Sequence, residues 1–138
     1  IKRIEPMKHL LPEGWPRPKG YSNAVSVKNG RTLYVAGLIG WDENEIIQSD
    51  LLIDQFKKTL ENTLAVLKEG GAGPEHIVRM TWYITDKQEY LNNLPEMGAV
   101  YREVMGKNYP AMACVQVSAL MEDKAKIEIE TTAVIEET

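Results

Sequence analysis

Ala125-Lys126-Ile127-Glu128-Ile129-Glu130-Thr131-Thr132-Ala133-Val134 decides the fold: Lys126, Glu128 and Glu130 alternate strictly with Ile127, Ile129 and Thr131. Successive side chains of a strand leave on opposite faces, so this period of two makes a strand with one apolar and one polar face. The apolar face needs cover, and two stretches upstream can supply it. Leu52, Phe56, Leu60, Leu64 and Leu67 recur at spacings of 4, 4, 4 and 3, the stripe of an amphipathic helix. Ser49 or Asp50 is placed to cap it and Gly70-Gly71 to end it. A second helix is expected from about Tyr90 to Met105, with Met97, Val100, Tyr101 and Val104 inward and Pro95 in its first turn or at a kink.

Further strands are expected at Ala24–Val27, Thr32–Ile39, Ile77–Ile84 and Ala111–Val117. Asn29-Gly30 should turn the first pair into a hairpin through positive φ values. On Ile77–Ile84, Val78, Met80, Trp82 and Ile84 share one side, while Ile77 falls with Arg79, Thr81 and Tyr83. The order β-β-α-β-α-β-β, with both helices on one face of a mixed sheet, is an α+β layer. The opposite face also carries apolar residues, and 138 residues provide no third layer for it. Association through the sheet is therefore expected. Four of the seven prolines (Pro6, Pro12, Pro16 and Pro18) lie in residues 1–20, which reads as an extended arm preceding a single domain at 21–138. Met7, Leu10, Leu11 and Trp15 give that arm apolar surface to lay on a body, its own or a neighbour's.

Composition narrows the function. A net charge of -4 and an isoelectric point near 5.3 disfavour nucleic acid, whose binding rests on phosphate neutralisation. Cys114 is the only cysteine, which excludes an intramolecular disulfide and any multi-thiolate metal site. His9 and His76 stand outside any HxxxH or HExxH pattern. No apolar run reaches the roughly 18–20 residues of a membrane span, and no secretory leader is visible, so the cytoplasm is the expected compartment. No Walker loop, GxGxxG or GxSxG is present, and Gly70-Gly71-Ala72-Gly73 follows a helix instead of opening one.

The C-terminal third carries a resemblance. Tyr109-Pro110-Ala111-Met112-Ala113-Cys114-Val115-Gln116-Val117, followed by Lys126-Ile127-Glu128-Ile129-Glu130, resembles the signature of the Rid family, also known as RidA/YjgF or L-PSP endoribonuclease-like. There the segment reads approximately F-P-A-R-x-C-V-x-V, then K-I-E-I-E. Gly20-Tyr21-Ser22-Asn23-Ala24 looks like the family's P-Y-S-Q-A, and Val35-Ala36-Gly37 its T/V-S-G strand end. Leu60-Glu61-Asn62 looks like L-x-N on the first helix, and Ile77-Val78-Arg79 with Asp86 fits the following strand and turn.

The resemblance implies a chorismate-mutase-like fold assembled as a homotrimer, with sheets lining a central barrel and ligand clefts between subunits. It implies cofactor-free hydrolysis of a small imine or enamine, such as 2-aminoacrylate, to a keto acid and ammonia. The family's carboxylate-binding arginine is Met112 in this sequence, its strand-end serine is Ala36, and the next polar residue is Leu38. An asparagine of the second helix is Gly98, and one extra residue separates Met112 from Glu128. Tyr21, Cys114 and Glu128 survive. Glu128 is the candidate to orient water and pass protons, Tyr21 to bind substrate or cap the cleft. Ala36, Gly37, Leu38, Met112, Ala113 and Cys114 would line a pocket more apolar than the family's usual one, suited to a larger hydrocarbon or aromatic ligand than 2-aminoacrylate. Should an arginine elsewhere take over the lost role, Arg17 and Arg31 are the candidates. A trimer that binds a small ligand without turning it over, and an endoribonuclease, are the alternative readings; Glu128 as a plain ion-pair residue would favour the former.

Overall fold

The computed structural model describes residues 7–137. Through them the chain forms β1 (Lys8–Leu10), β2 (Ala24–Ser26), β3 (Gly30–Ile39), α1 (Leu52–Glu69), β4 (Ile77–Ile84), α2 (Lys87–Asn92), α3 (Leu94–Met105), β5 (Ala111–Gln116) and β6 (Ile127–Glu136). The main sheet has the order β3-β6-β4-β5. β6 pairs antiparallel with β3 and β4, and β4 pairs parallel with β5. The parallel pair needs a crossover, which α2 and α3 provide. This is the expected α+β arrangement, a mixed sheet with its helices on one face.

The strict alternation of β6 sets the layering. Ile127, Ile129, Thr131 and Ala133 are buried beneath the helices, while Glu128 and Glu130 face the other way. The apolar stripe of α1 meets that buried side: Leu52, Phe56, Leu60 and Leu67 are buried and Leu64 is partly so. Gly71, at φ 78°, turns the chain out of the helix, and the Ala72 N–H donates to the Leu67 carbonyl at 2.9 Å. Pro95 falls in the first turn of α3. A separate short helix, α2, precedes it, so the single second helix expected from the sequence is two.

Four further expectations are corrected. Ser49 and Asp50 do not occupy the N-cap of α1, which is Leu51; Ser49 instead accepts the Leu51 N–H at 3.1 Å, and Asp50 pairs with Lys124. β2 does not pair with β3. It pairs with β1, because Ser22 bridges Ala111 on the β5 edge, at the far side of the sheet from β3. No positive φ is needed at Gly30; its bareness is needed because a Cβ would lie 2.4 Å from Val134 and 2.7 Å from the Ile135 carbonyl. Ile77 joins the core beside Met80, because a register shift between Ile77 and Arg79 breaks the alternation.

The arm from Met7 to Gly20 has Leu10, Leu11 and Trp15 exposed; its residues 1–6, Pro6 included, lie outside the described residues. α1 also buries a polar row that its apolar stripe does not announce, Gln55, Thr59 and Thr63. The Gln55 amide donates to the Ser49 and Lys124 carbonyls and accepts the Lys126 N–H, tying the helix start to the entry of β6. Asn62 donates to the carbonyls of Ile39 and Trp41, both at 2.9 Å, holding the end of β3 against the helix. Between these anchors, a Cβ on Gly40 would lie 2.5 Å from the Gln55 carbonyl oxygen and 2.9 Å from its Cα. Backbone cannot give way as a side-chain tip can. Gly40→Ala should therefore lower stability by roughly 1–3 kcal/mol, read as a drop of several degrees in the thermal midpoint. An unchanged midpoint would show that α1 is free to lift from β3.

Candidate functional site

On the helix side of the sheet, a cavity of about 480 Å³ lies between β4, β5, α3 and the segment at Lys19–Tyr21. This is within the range of small-molecule sites. Its floor continues the core. Phe56 and Trp82 meet edge to face with ring centroids 4.8 Å apart, Trp82 lies 6.1 Å from Tyr101, and Tyr101 stacks on Tyr109 at 5.7 Å. Trp82 and both tyrosines line the cavity. The Tyr101 hydroxyl donates to the Asn108 carbonyl, and burial pushes its phenol well above the ordinary range.

Met112 and Cys114 reach this cavity because β5 pairs them with Met80 and Trp82, whose side chains point to the helices. Tyr21 lines it from the other side and is half-exposed. Tyr90 on α2 completes this corner. Burial, with Cys114 adding to it, pushes the Tyr90 phenol up to about 12. Burial likewise pushes the Cys114 thiol up, against the opposing pull of a hydrogen bond with Tyr90. Cys114 is therefore a protonated, polarisable wall and not a thiolate nucleophile at neutral pH.

Glu128 is on the opposite face. It pairs across from Tyr83 and Ile39, with its carboxylate over Gly37, where an added Cβ would fall 2.4 Å from Oε2. A side chain at this position would push the carboxylate aside. Its neighbour Glu130 accepts the Tyr83 hydroxyl at 2.7 Å, and Lys126 pairs with Glu89 at 3.0 Å. Glu128 itself has no hydrogen-bond or ion-pair partner among the described residues. Among the described residues, then, Glu128 is not held in an ion pair.

Within one chain, then, the sequence-matched residues fall into two groups. Tyr21, Met112 and Cys114 share the cavity. Gly37 and Glu128 share the open face, and Ala113, alternating with its neighbours on β5, is turned to that face too. Ala36 is exposed on β3. Leu38 belongs to neither group: the register shift between Val35 and Leu38 turns it to pair with Ile129 on the helix side, where it packs on the core. Arg17 lines a second cavity, of about 520 Å³, and Arg31 donates to the Gly70 carbonyl at 2.9 Å. The arginine that lines the first cavity is Arg102 on α3, which the sequence reading passed over together with Tyr90 and Tyr109.

The second cavity holds a histidine–serine contact, His9 Nδ1 to Ser22 Oγ at 2.7 Å. The Ser22 hydroxyl donates its proton to the Tyr109 carbonyl, so His9 must be the donor in their contact. This histidine does not activate the serine. No cluster of three or more His, Cys, Asp or Glu among the described residues is arranged to hold a metal ion, and no described helix is long and apolar enough to cross a membrane.

Comparison with known proteins shows the family. The family model described as Endoribonuclease L-PSP matches residues 16–135. A RutC family protein of Pyrococcus abyssi is 38% identical over 90% of this chain and 94% of its own. The human 2-iminobutanoate/2-iminopropanoate deaminase is 32% identical over 83% of this chain and 79% of its own. The crystal structure of YyfB, a Rid family protein of unknown function from Yersinia pestis, superposes with a TM-score of 0.83 at 30% identity, covering 94% of this chain and 98% of that one. With its sheet order, its cavity beside β5 and a family match spanning nearly its whole length, the chain belongs to the Rid family, the L-PSP endoribonuclease-like group.

Proposed function

We propose that this chain is a Rid-type hydrolase that adds water across the C=N bond of a small imine other than 2-aminoacrylate, in a cleft formed between copies. Water attacks the imine carbon, the C–N bond breaks, the water oxygen becomes the carbonyl oxygen, and nitrogen leaves as ammonia. Imine deaminases among its relatives support the reaction class.

The observation that carries the reading is the division of the site residues across one sheet. A cavity with Tyr21, Met112 and Cys114 has no acid to take a proton from water, while the unpartnered Glu128 stands on the opposite face over Gly37. The two halves complement each other only if the open face of one copy covers the cavity mouth of the next. That face is uncovered in the single chain, with Tyr34 and Val115 exposed. In the assembled cleft Glu128 would orient the water and accept its proton, while Tyr21 would hold the substrate at the mouth. RNA cleavage fits less well with a net charge of -4.

Three expected outcomes follow. Light scattering at micromolar concentration should return three times the 15.6 kDa chain mass; a monomer would leave both half-sites incomplete and overturn the proposal. Ammonia release should be measured on imines generated in situ by an amino-acid oxidase. Glu128→Gln should cut this turnover by about 10²–10⁴-fold, with mass and thermal midpoint unchanged. If the variant melts early and retains its activity, Glu128 is structural and ligand binding without turnover becomes the better reading. Glu128→Gln and Tyr21→Ala chains unfolded and refolded together should exceed either parent, because a mixed trimer contains some intact clefts; no gain would place both residues in one subunit's site.

A further inference from the structure

The cavity beside β5 is cationic in an acidic protein. Arg102 and Lys19 line it and no Asp or Glu does, although the chain carries a net charge of -4. Among the described residues no carboxylate pairs with Arg102. The guanidinium is aimed by its helix. Long side chains on α-helices lean toward the N-terminus, over the residue four positions earlier. For Arg102 that residue is Gly98, and a Cβ there would lie 3.3 Å from Arg102 Nη1. Glycine inside a helix is unfavourable relative to alanine. At Gly98, which also lines the cavity, its bareness leaves the Arg102 head group a berth in the wall.

The wall describes the rest of a ligand. Trp82, Met97, Tyr101 and Met112 present aromatic and thioether surface.

We propose that Arg102 is the anion-recognition residue of this cavity, doing from α3 what Met112 on β5 cannot, and that the ligand is a carboxylate bearing an aromatic or branched apolar body. The proposal rests on this cavity being the substrate half of the hydrolase site and names the class of molecule it takes. A planar guanidinium fork matches a planar carboxylate, and the apolar wall, Met112 included, takes the hydrocarbon. The reacting carbon then lies toward the mouth, beside Tyr21.

Binding of 3-phenylpropanoate, its neutral isostere 3-phenylpropanamide, and propanoate is measured by calorimetry on the full chain, with inorganic phosphate as competitor. The wild type should bind 3-phenylpropanoate more tightly than either of the others. Arg102→Gln should weaken 3-phenylpropanoate by about tenfold or more and leave the amide within about twofold, with Arg102→Lys recovering part of the loss. The proposal fails if Arg102→Gln leaves 3-phenylpropanoate unchanged or weakens acid and amide alike. It also fails if the wild type does not prefer the acid, or if phosphate displaces it at equal concentration. The readout needs no turnover. Arg102-dependent binding without ammonia release from any imine would sink the hydrolase reading and keep this one. Turnover of aromatic imino acids with KM unmoved by Arg102→Gln would do the reverse.

Discussion

A strand hydrogen-bonded on both edges cannot rotate a side chain from one face to the other, and β6 is such a strand. Its pairing with β3 and β4 fixes Ile127, Ile129, Thr131 and Ala133 under the helices and Glu128 and Glu130 on the far side. A slip of one residue would bury two glutamates and expose the core, so the register is held by the hydrophobic effect along its whole length. The position of the carboxylate is thereby a consequence of folding. Gly37 completes it, because the bulge in β3 brings a residue with no side chain under the Glu128 carboxylate.

The cavity depends on the same sheet through its other face. Phe56, Trp82, Tyr101 and Tyr109 form a continuous run of ring contacts from the middle of the core to the ligand wall. Trp82 belongs to both. Such rings are rigid and bulky, so they fix the spacing between α3 and the sheet more firmly than aliphatic packing would. α3 in turn carries Tyr101 toward the core and Arg102, the next residue, along the cavity wall.

Much of this was legible because it is local. The alternation of β6, the stripe of α1, the stop at Gly70-Gly71 and Pro95 in a first helical turn each depend on a few consecutive residues. What failed was non-local. β2 looked like half of a hairpin, but its place is set by Ser22 bridging Ala111, far along the chain. Counting in twos gives Ile77 the wrong face, and the resemblance puts Leu38 in the pocket; each residue borders a register shift that neither reading sees. Gln55, Thr59 and Thr63 lie outside the apolar stripe of α1, yet they are buried because Gln55 finds backbone partners and each threonine bonds the carbonyl four residues back. For the site, the resemblance marked Tyr21, Cys114 and Glu128, and could not say that a sheet separates the first two from the third. Arg102 carried a readable signal, a glycine four residues earlier on a helix. Which face of α3 met a cavity was not in the helix's own sequence.

Moving a cation from a strand to a helix changes more than its address. A charge on β5 at position 112 would sit on the same surface as Cys114 and hold a short carboxylate against the sheet, leaving little room for a larger body. With Met112 there, the sheet surface is apolar and polarisable, and the charge arrives from across the cavity on α3. A ligand paired with the exposed Arg102 lays its body along the aromatic and thioether wall of Trp82, Tyr101 and Met112. In the proposed hydrolase, selectivity against 2-aminoacrylate then follows from that wall: a small acid gains the charge contact and leaves the apolar surface uncovered, while a larger body removes it from water.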